Sequence, residues 1–349
     1  MGNLIGAADF LWAAAVLHIL SKADCEKFVT SAHLLLKPGG TFYGWTVGNR
    51  EAGDWHTTPD GKAKRYLHSA ESLHALFMQL GFNKPRQLDD EDMAFIVEYT
   101  NGGQVAALRE HVLRVWQRAK QELWVYKCIQ QFMFLIPKIS RHPFYPKVLA
   151  AHQESQGQHM LHLDVGACLG QDTRRLMTDG CGQHQIIALD LVADYWKMGK
   201  VLFLDEDRMH VPLIVGSLTD EGFVSADNCY LRNSQMGDLI GAADFLWAAA
   251  VLHILSKADC EKFVSSAHLL LKPGGTFYGW TVGNREAGDW HTTPDGKAKR
   301  YLHSAESLHA MFMQLGFSKA TVEYTSGAMW TPDDSEERQI EHLCFSATK

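Results

Sequence analysis

The chain has 349 residues, 46% of them hydrophobic and 21% charged, with a formal net charge of -7 at pH 7. That composition suits about two soluble globular domains, and the mild acidity without long Lys/Arg runs disfavours nucleic acid as the main partner. Seven cysteines, at 25, 128, 168, 181, 229, 260 and 344, include no CxxC pair and are odd in number. Zinc ribbons and a disulfide framework are therefore poor readings, and reduced thiols point to a cytoplasmic protein.

In chain order, residues 11–20 are apolar but lack the basic segment that precedes a signal-peptide core, and Asp9 stands in its place. They are expected to form a buried strand and its exit loop. No run reaches the ~18 uninterrupted apolar residues of a membrane span, so membrane insertion is not expected. Residues 1–84 recur at 236–319 with a constant offset of 235 and four mild differences: Asn3/Asp238, Thr30/Ser265, Leu76/Met311 and Asn83/Ser318. Two copies at so long a period are a duplication rather than a solenoid. A tandem duplication with fusion, or a gene model joining two neighbouring copies, would each produce it.

Residues 104–129 are expected to be helical, with Ala107, Leu108, Val112, Val115, Trp116, Ala119 and Leu123 at helical spacing. A short helix is expected near His142-Pro143, because proline suits a first helical turn. From residue 161 strands and helices alternate: strands at 161–165, 186–189, 211–215, 245–252 and 276–281, and helices at 171–177, 193–203, 258–271 and 305–315. Residues 321–324 and 342–346 look like a closing strand pair. This pattern predicts a doubly wound α/β sheet. The domains expected are 1–84 as a partial duplicate without a ligand motif, 85–157 as linker and helical cap, and 158–349 as the main α/β domain.

The strongest local signal is Leu161-His-Leu-Asp-Val-Gly-Ala-Cys-Leu-Gly170. A short strand ends in Asp164, and Gly166 and Gly170 flank a tight turn around Cys168 into a helix. Glycine permits the turn and a close ligand approach, and the helix start adds free N–H groups. The full G-x-G-x-x-G of a dinucleotide site is absent, which disfavours an oxidoreductase. A second strand ends in Asp190, followed by Leu191, 20 residues after Gly170. A carboxylate there suits both hydroxyls of a ribose, or caps the next helix. The third strand runs into Gly216, Ser217 and Leu218. The fourth, from Asp244 through Ala249, runs on to Leu252-His253. Leu271-Lys-Pro-Gly-Gly-Thr-Phe277 supplies a glycine turn before the fifth.

In this order, these landmarks resemble the class I S-adenosylmethionine-dependent methyltransferases. The resemblance implies a Rossmann-like, doubly wound, seven-stranded sheet with an N-terminal helical cap. It implies S-adenosyl-L-methionine as cofactor. Asp164, Gly166, Cys168 and Gly170 would face its amino-acid part, Asp190 and Leu191 its ribose, Ser217 and Leu218 its adenine, and Ala249 would line the same site. A cap segment, Tyr126-Lys-Cys128-Ile-x-x-Phe132-x-Phe134-Leu135 with Ile139-x-x-His142-Pro143-x-Tyr145-x-x-Val148-Leu149, narrows the resemblance to fungal methyltransferases of meroterpenoid pathways. It runs from about Asp90 to Lys349, and Lys127 stands where proline is expected. Those relatives methylate carboxyl groups of polyketide–terpenoid intermediates, which implies O-methylation of a small-molecule acceptor and a role in secondary-metabolite and terpenoid biosynthesis.

A carboxylate acceptor is already ionised and needs no general base, whereas a phenol would. His253, just past the fourth strand, is the candidate base; packing or helix capping is its bland alternative. Trp290 and His291 lie in an expected loop that would cover substrate. No HxxxH or His/Asp cluster suggests a metal. The alternative function is a non-catalytic cofactor-binding partner that regulates another methyltransferase. The first copy lacks strands one to three, so it would pack as an extra lobe, swap with its twin, or form a homodimer.

Overall fold

The computed structural model describes residues 8–14, 20, 22–45, 53–57, 64–67, 73, 88–102, 104–123, 127–155, 160–220, 222–224, 236–292, 299–325 and 341–349. The chain divides into two compact units, residues 1–88 with 116–132, and residues 89–115 with 133–349.

In the first unit, β1 (Ala8–Ala14) runs parallel to β2 (Leu36–Trp45), with α1 (Lys22–Leu35) between them. Cys25 and Val29 of α1 are fully buried, with Leu20, Phe28 and Leu73 packed around them. β3 (Gly53–Thr57) and β4 (Lys64–Leu67) form an antiparallel hairpin.

Next come α2 (Asp90–Tyr99), α3 (Val105–Glu122), α4 (Lys127–Gln130) and α5 (Tyr145–Glu154). Sequence reading missed α2, although its start carries a reciprocal cap: Asp92 N–H donates to Asp89 Oδ1 (2.8 Å), and Asp89 N–H to Asp92 Oδ2 (3.2 Å). The single helix expected over 104–129 is two, with α3 ending at Glu122. The proline in the first turn of α5 is Pro146, not Pro143.

The second unit is built on β5 (His162–Val165), α6 (Gln171–Thr178), β6 (Ile186–Asp190), α7 (Ala193–Leu202), β7 (Leu213–Val215), β8 (Ala243–Ala249), α8 (Lys257–Leu270) and β9 (Leu271–Gly283). The hairpin β10 (Gly288–Thr292) and β11 (Lys299–Leu302), then α9 (Ala305–Gln314), β12 (Lys319–Thr325) and β13 (Glu341–Thr348), complete it. Among the described residues the sheet has seven strands in the order β12-β13-β9-β8-β5-β6-β7. β5 to β9 pair in parallel, and β13 is antiparallel to both neighbours. This is the Rossmann-like, doubly wound sheet that the alternating pattern predicts.

Side chains alternate across a strand, and β8 shows the result. Leu246 and Ala248 join the core beneath Cys260, Phe263, Val264 and Ala267 of α8. Phe245 and Trp247 join the opposite core, with Ile139, Tyr145 and Val148 of the cap and Trp196 of α7. Both faces are thus covered, as a parallel sheet requires. β9 begins five residues earlier than expected, at Leu271. Its pairing with β8 breaks between Ala243 and Phe245, where the Pro273-Gly274-Gly275 turn is accommodated. Gly274 there has φ +81°, a left-handed conformation that costs glycine least. No helix among the described residues is long and apolar enough to cross a membrane.

Candidate functional site

From β5 the chain winds outward through β6 to β7, then returns to place β8 on the other side of β5. The C-terminal ends of β5 and β8 therefore diverge at a switch point, where open α/β sheets form their ligand crevice. Four of the predicted landmarks meet at that edge: the 166–170 turn after β5, Asp190 at the end of β6, Gly216-Ser217 after β7, and Ala249 at the end of β8.

The turn is shaped by its backbone. Gly166 has φ +76° and Gly170 φ +79°. A Cβ on Gly166 would lie 2.6 Å from Val251 Cγ2, and one on Gly170 would lie 2.6 Å from both Trp196 and the Arg174 guanidinium. Cys168 also takes the left-handed conformation, at φ +51°. Asp190 fastens the turn: its Oδ2 accepts from Cys168 N–H (2.8 Å) and its Oδ1 from Val192 N–H (2.9 Å). A carboxylate has about four lone-pair sites, so both oxygens can still accept from a ligand's hydroxyls. Burial pushes the Asp190 pKa up, while the backbone N–H groups of Val192, Cys168 and Leu191 oppose that rise. Leu191 beside it is 62% exposed.

Asp164 stands behind the turn, 2% exposed, with its Oδ2 accepting from Thr173 Oγ1 at 2.5 Å. Burial, with the Asp172 carboxylate next in importance, raises its pKa well above the carboxylate range. It braces the start of α6. Leu218 packs in the core and its carbonyl receives Ser266 Oγ–H (2.8 Å), so an adenine edge there would meet backbone rather than this side chain. Ser217 Oγ lies 2.7 Å from Thr219 Oγ1.

His253 sits in the turn after β8, its backbone N–H donating to Thr281 Oγ1 at 3.1 Å. Burial, with the charges of Lys138, Arg300 and His342, pushes the ring's pKa down to about 3. Such an imidazole is neutral at physiological pH and a weak base. Trp290 and His291 fall in β10 rather than in a loop, and their side chains lie outside the described residues. Tyr126 of the cap motif also lies outside them. No group of three or more metal-ligating side chains that could hold an ion occurs among the described residues.

Several residues that shape the site escaped sequence reading. Arg174 and Asp205 form a fully buried two-point ion pair, Nε–Oδ2 2.8 Å and Nη2–Oδ1 2.9 Å. Arg174 Nη1 also donates to the carbonyls of Leu169 (2.7 Å) and Gly170 (3.0 Å), holding the turn from behind. Tyr99 OH donates to Asp205 Oδ2 (2.8 Å), and the Phe203 ring lies 4.4 Å from the guanidinium. Asp172 ties the cap to the turn. Its Oδ1 accepts from the backbone N–H of Lys138 (2.6 Å) and Ile139 (2.9 Å), and its Oδ2 from the Trp247 indole (3.1 Å). Gln171, the first residue of α6, has a buried Oε1 without a hydrogen-bond partner among the described residues.

These features fit a nucleoside ligand with an amino-acid tail. Two glycines keep side chains out of the cradle, Asp190 suits the ribose, and the orphaned Gln171 oxygen suits an ammonium. No protein-family model matches the chain. It is similar to the O-methyltransferase atr3 of Stereocaulon alpinum, 26% identical over 212 residues, covering 60% of this chain and 57% of that protein. It is similar also to the O-methyltransferase phiE of a fungal species, 27% identical over 205 residues, covering 57% of this chain and 63% of that protein. The asnovolin E/chermesin D methyltransferase nvfJ of Aspergillus novofumigatus is 27% identical over 254 residues, covering 69% and 82%. The chain thus spans less than two thirds of the first two relatives. Among solved structures, the 1,6-didemethyltoxoflavin N1-methyltransferase of Burkholderia thailandensis matches with a TM-score of 0.41 at 14% identity, covering 70% of this chain and 89% of that one. The resemblance to fungal methyltransferases read from the motifs therefore recurs in the curated relatives.

Proposed function

We propose that the chain is an S-adenosylmethionine-dependent O-methyltransferase that esterifies a carboxyl group of a small polyketide–terpenoid acceptor. The observation that carries this reading is the tie between Asp190 and the glycine turn, Cys168 N–H to Asp190 Oδ2 at 2.8 Å, at the switch point of the sheet. Gly166 and Gly170 admit the ligand, Asp190 and the exposed Leu191 receive its ribose, Gln171 Oε1 accepts from its ammonium, and Ser217 with the backbone at Leu218 meets its adenine. Ala249 leaves room beside β8. Asp164 supports the start of α6 and adds a negative field behind the ammonium.

Bound there, the cofactor would supply a methyl group on a positively charged sulfur, ready for in-line displacement. The chain's part is to hold the acceptor oxygen in line and to exclude water. A carboxylate reaches the site ionised, so no residue need remove a proton. A neutral His253 with a pKa of about 3 suits that task better than the deprotonation of a phenol. His253 is accordingly a wall of the acceptor site. The reduced thiols and the lack of a basic run fit a cytoplasmic enzyme with a small-molecule partner.

The test is methyl transfer from labelled S-adenosylmethionine to a panel of aromatic carboxylic acids and phenols, read by mass spectrometry. Products cleaved by mild alkali are esters and support the reading. Alkali-stable ethers would shift it to a phenol acceptor. Cofactor binding without any product would favour the regulatory partner.

A further inference from the structure

Three buried imidazoles lie where the cap meets the sheet: His142 after the turn Ile139–Arg141, His152 on α5, and His162 at the start of β5. His142 is engaged on both sides of its ring. Its Nδ1 accepts from Phe144 N–H (3.0 Å), so Nε2 carries the ring proton and donates to the Phe345 carbonyl of β13 (3.1 Å). Cys344 Sγ lies 3.0 Å from the same Nε2. The ring stands edge-on to Trp247, Tyr278 and Trp280, with centroids 5.7, 5.2 and 5.5 Å apart. Phe144 is the residue from which α5 starts, so the His142 lone pair fixes the start of that helix over the sheet. His162 places Nε2 2.8 Å from Tyr278 OH and leaves Nδ1 buried without a partner among the described residues. His152 packs on it with ring centroids 6.4 Å apart, and Phe245 lies against both rings.

This interface accepts the rings only without charge. A proton on His142 Nδ1 removes the acceptor of Phe144 N–H and sets two N–H groups against each other. A proton on His162 Nδ1 puts a cation in a buried place with no acceptor and a second imidazole beside it. The neighbouring carboxylates are already engaged. Asp244, which faces His152 together with Gln185, accepts from Leu161 N–H (2.9 Å) and pairs with Lys272. Asp172 holds the Lys138 and Ile139 N–H groups and the Trp247 indole, Asp164 holds Thr173, and Asp179 holds Tyr145 OH and pairs with Arg175. Burial raises the pKa values of Tyr145, Tyr278, Cys181 and Cys344, so these four are neutral in acid. Lys147, with Nζ 5.4 Å from the Phe144 ring, adds positive charge nearby. Burial lowers the His142 pKa to about 4, although the Phe345 and Gly279 carbonyls oppose the fall, and it lowers those of His152 and His162 as well.

We propose that neutral imidazoles hold the cap, residues 138–154, to the sheet, and that acid releases it as a proton-driven switch before the sheet itself opens. Once the cap lifts, the rings meet water and regain an ordinary pKa of about 6.5. Docking is therefore favoured above that pH and weakens as pH falls from there to about 4. Asp164 and Asp172, which burial raises, act with the opposite sign. Asp172 also ties the cap to the start of α6, two residues after Gly170, so release frees one side of the glycine turn. The inference concerns the cap and stands independently of the methyltransferase reading.

The test is hydrogen exchange of the full chain at pH 7.5 and 5.0, read by mass spectrometry and corrected for the intrinsic pH dependence of exchange. Peptides from residues 139–154 report the cap, and peptides from 257–270 report α8. Protection of the cap should fall by about tenfold or more relative to that of α8 between the two pH values. His142→Asn and His162→Gln each keep a polar group near one ring nitrogen but take up no proton. Each should shrink that fall by about threefold or more, whereas the exposed His309→Asn should leave it unchanged. A variant whose cap docks less tightly at both pH values still reports the linkage, because the ratio between the two is what counts. A cap equally protected at both pH values, a cap and α8 that open together, or variants that keep the parent's full pH dependence would overturn the inference.

Discussion

The same stretch of sequence occurs twice in this chain, and its two settings differ. In both copies a strand of sequence ADFLWAA, a 14-residue helix and a following strand form a parallel β-α-β unit. Cys25 and Cys260, at the same place in their helices, are both fully buried, and burial raises their thiol pKa values to about 11 and about 12. Local structure therefore follows the sequence. Setting does not: among the described residues β1 and β2 form a sheet of two, whereas β8 and β9 lie between β5 and β13 in a sheet of seven. The second copy follows β5 to β7, and Val251 after its β8 lies against Gly166 of the glycine turn. A site made at the junction of strands depends on the whole sheet and not on one β-α-β unit alone.

Paired substitutions in the two copies sharpen that contrast. The largest effect is expected in the core. Phe277 is fully buried against Phe263, Phe312 and Phe345, so Phe277→Ala should cost the ligand-binding unit about 3–5 kcal/mol. Its twin Phe42→Ala should leave that unit's melting transition within about 0.5 kcal/mol. Equal losses in the two variants, measured by thermal melting with and without S-adenosylhomocysteine, would break the comparison.

A smaller effect is expected where the second copy touches the turn. Gly166→Ala brings a Cβ to 2.6 Å from Val251 and strains φ +76°. About tenfold weaker S-adenosylhomocysteine binding should follow, near 1.4 kcal/mol. Val16→Ala, in the first-copy twin of Val251, should change nothing in the same titration.

The next contrast is in pH. Burial lowers the His303 pKa to about 4, from 6.5. Below pH 6.5 the unfolded chain takes a proton that the folded one refuses until about pH 4, so the stability from this group is present above 6.5 and lost as pH falls. At pH 5.5 the loss is about 1.4 kcal/mol. His303→Asn should reduce the acid destabilisation of the parent between pH 7.5 and 5.5 by that amount, and His68→Asn should not. Asp164, raised in the fold, pulls the other way over much of the same range, but its contribution is common to all three proteins and cancels in the difference. The smallest effect is none: a chain lacking residues 1–84 should bind S-adenosylhomocysteine within about twofold of the full chain.

What could be read from the sequence was whatever is local. The glycine turn and Asp190 are separated by one strand–helix unit, and the spacing of Gly166, Gly170 and Asp190 is fixed by that unit's length. Strand and helix alternation likewise needs only a short window, and it placed the central strands to within a few residues. The supports of the site are long-range. Arg174 and Asp205 are 31 residues apart and Lys138 and Asp172 34, and nothing in the run Asp205-Glu206-Asp207 marks which carboxylate is the partner. Leu218 was assigned by its position at a strand end, and the core claimed its side chain. His253 is marked in the sequence by residue type and place; its burial in the fold, with charges from separate elements second, lowers its basicity in a way that its neighbours in sequence do not reveal.

The central claim is that the switch point of the second unit holds the cofactor, and the most direct test is calorimetric titration of the full chain with S-adenosylhomocysteine, beside Asp190→Ala and Gly166→Arg. The account predicts saturable one-to-one binding by the parent, lost or severely weakened in both folded variants. A well-folded parent that takes up no ligand, or variants that bind as the parent does, would contradict it.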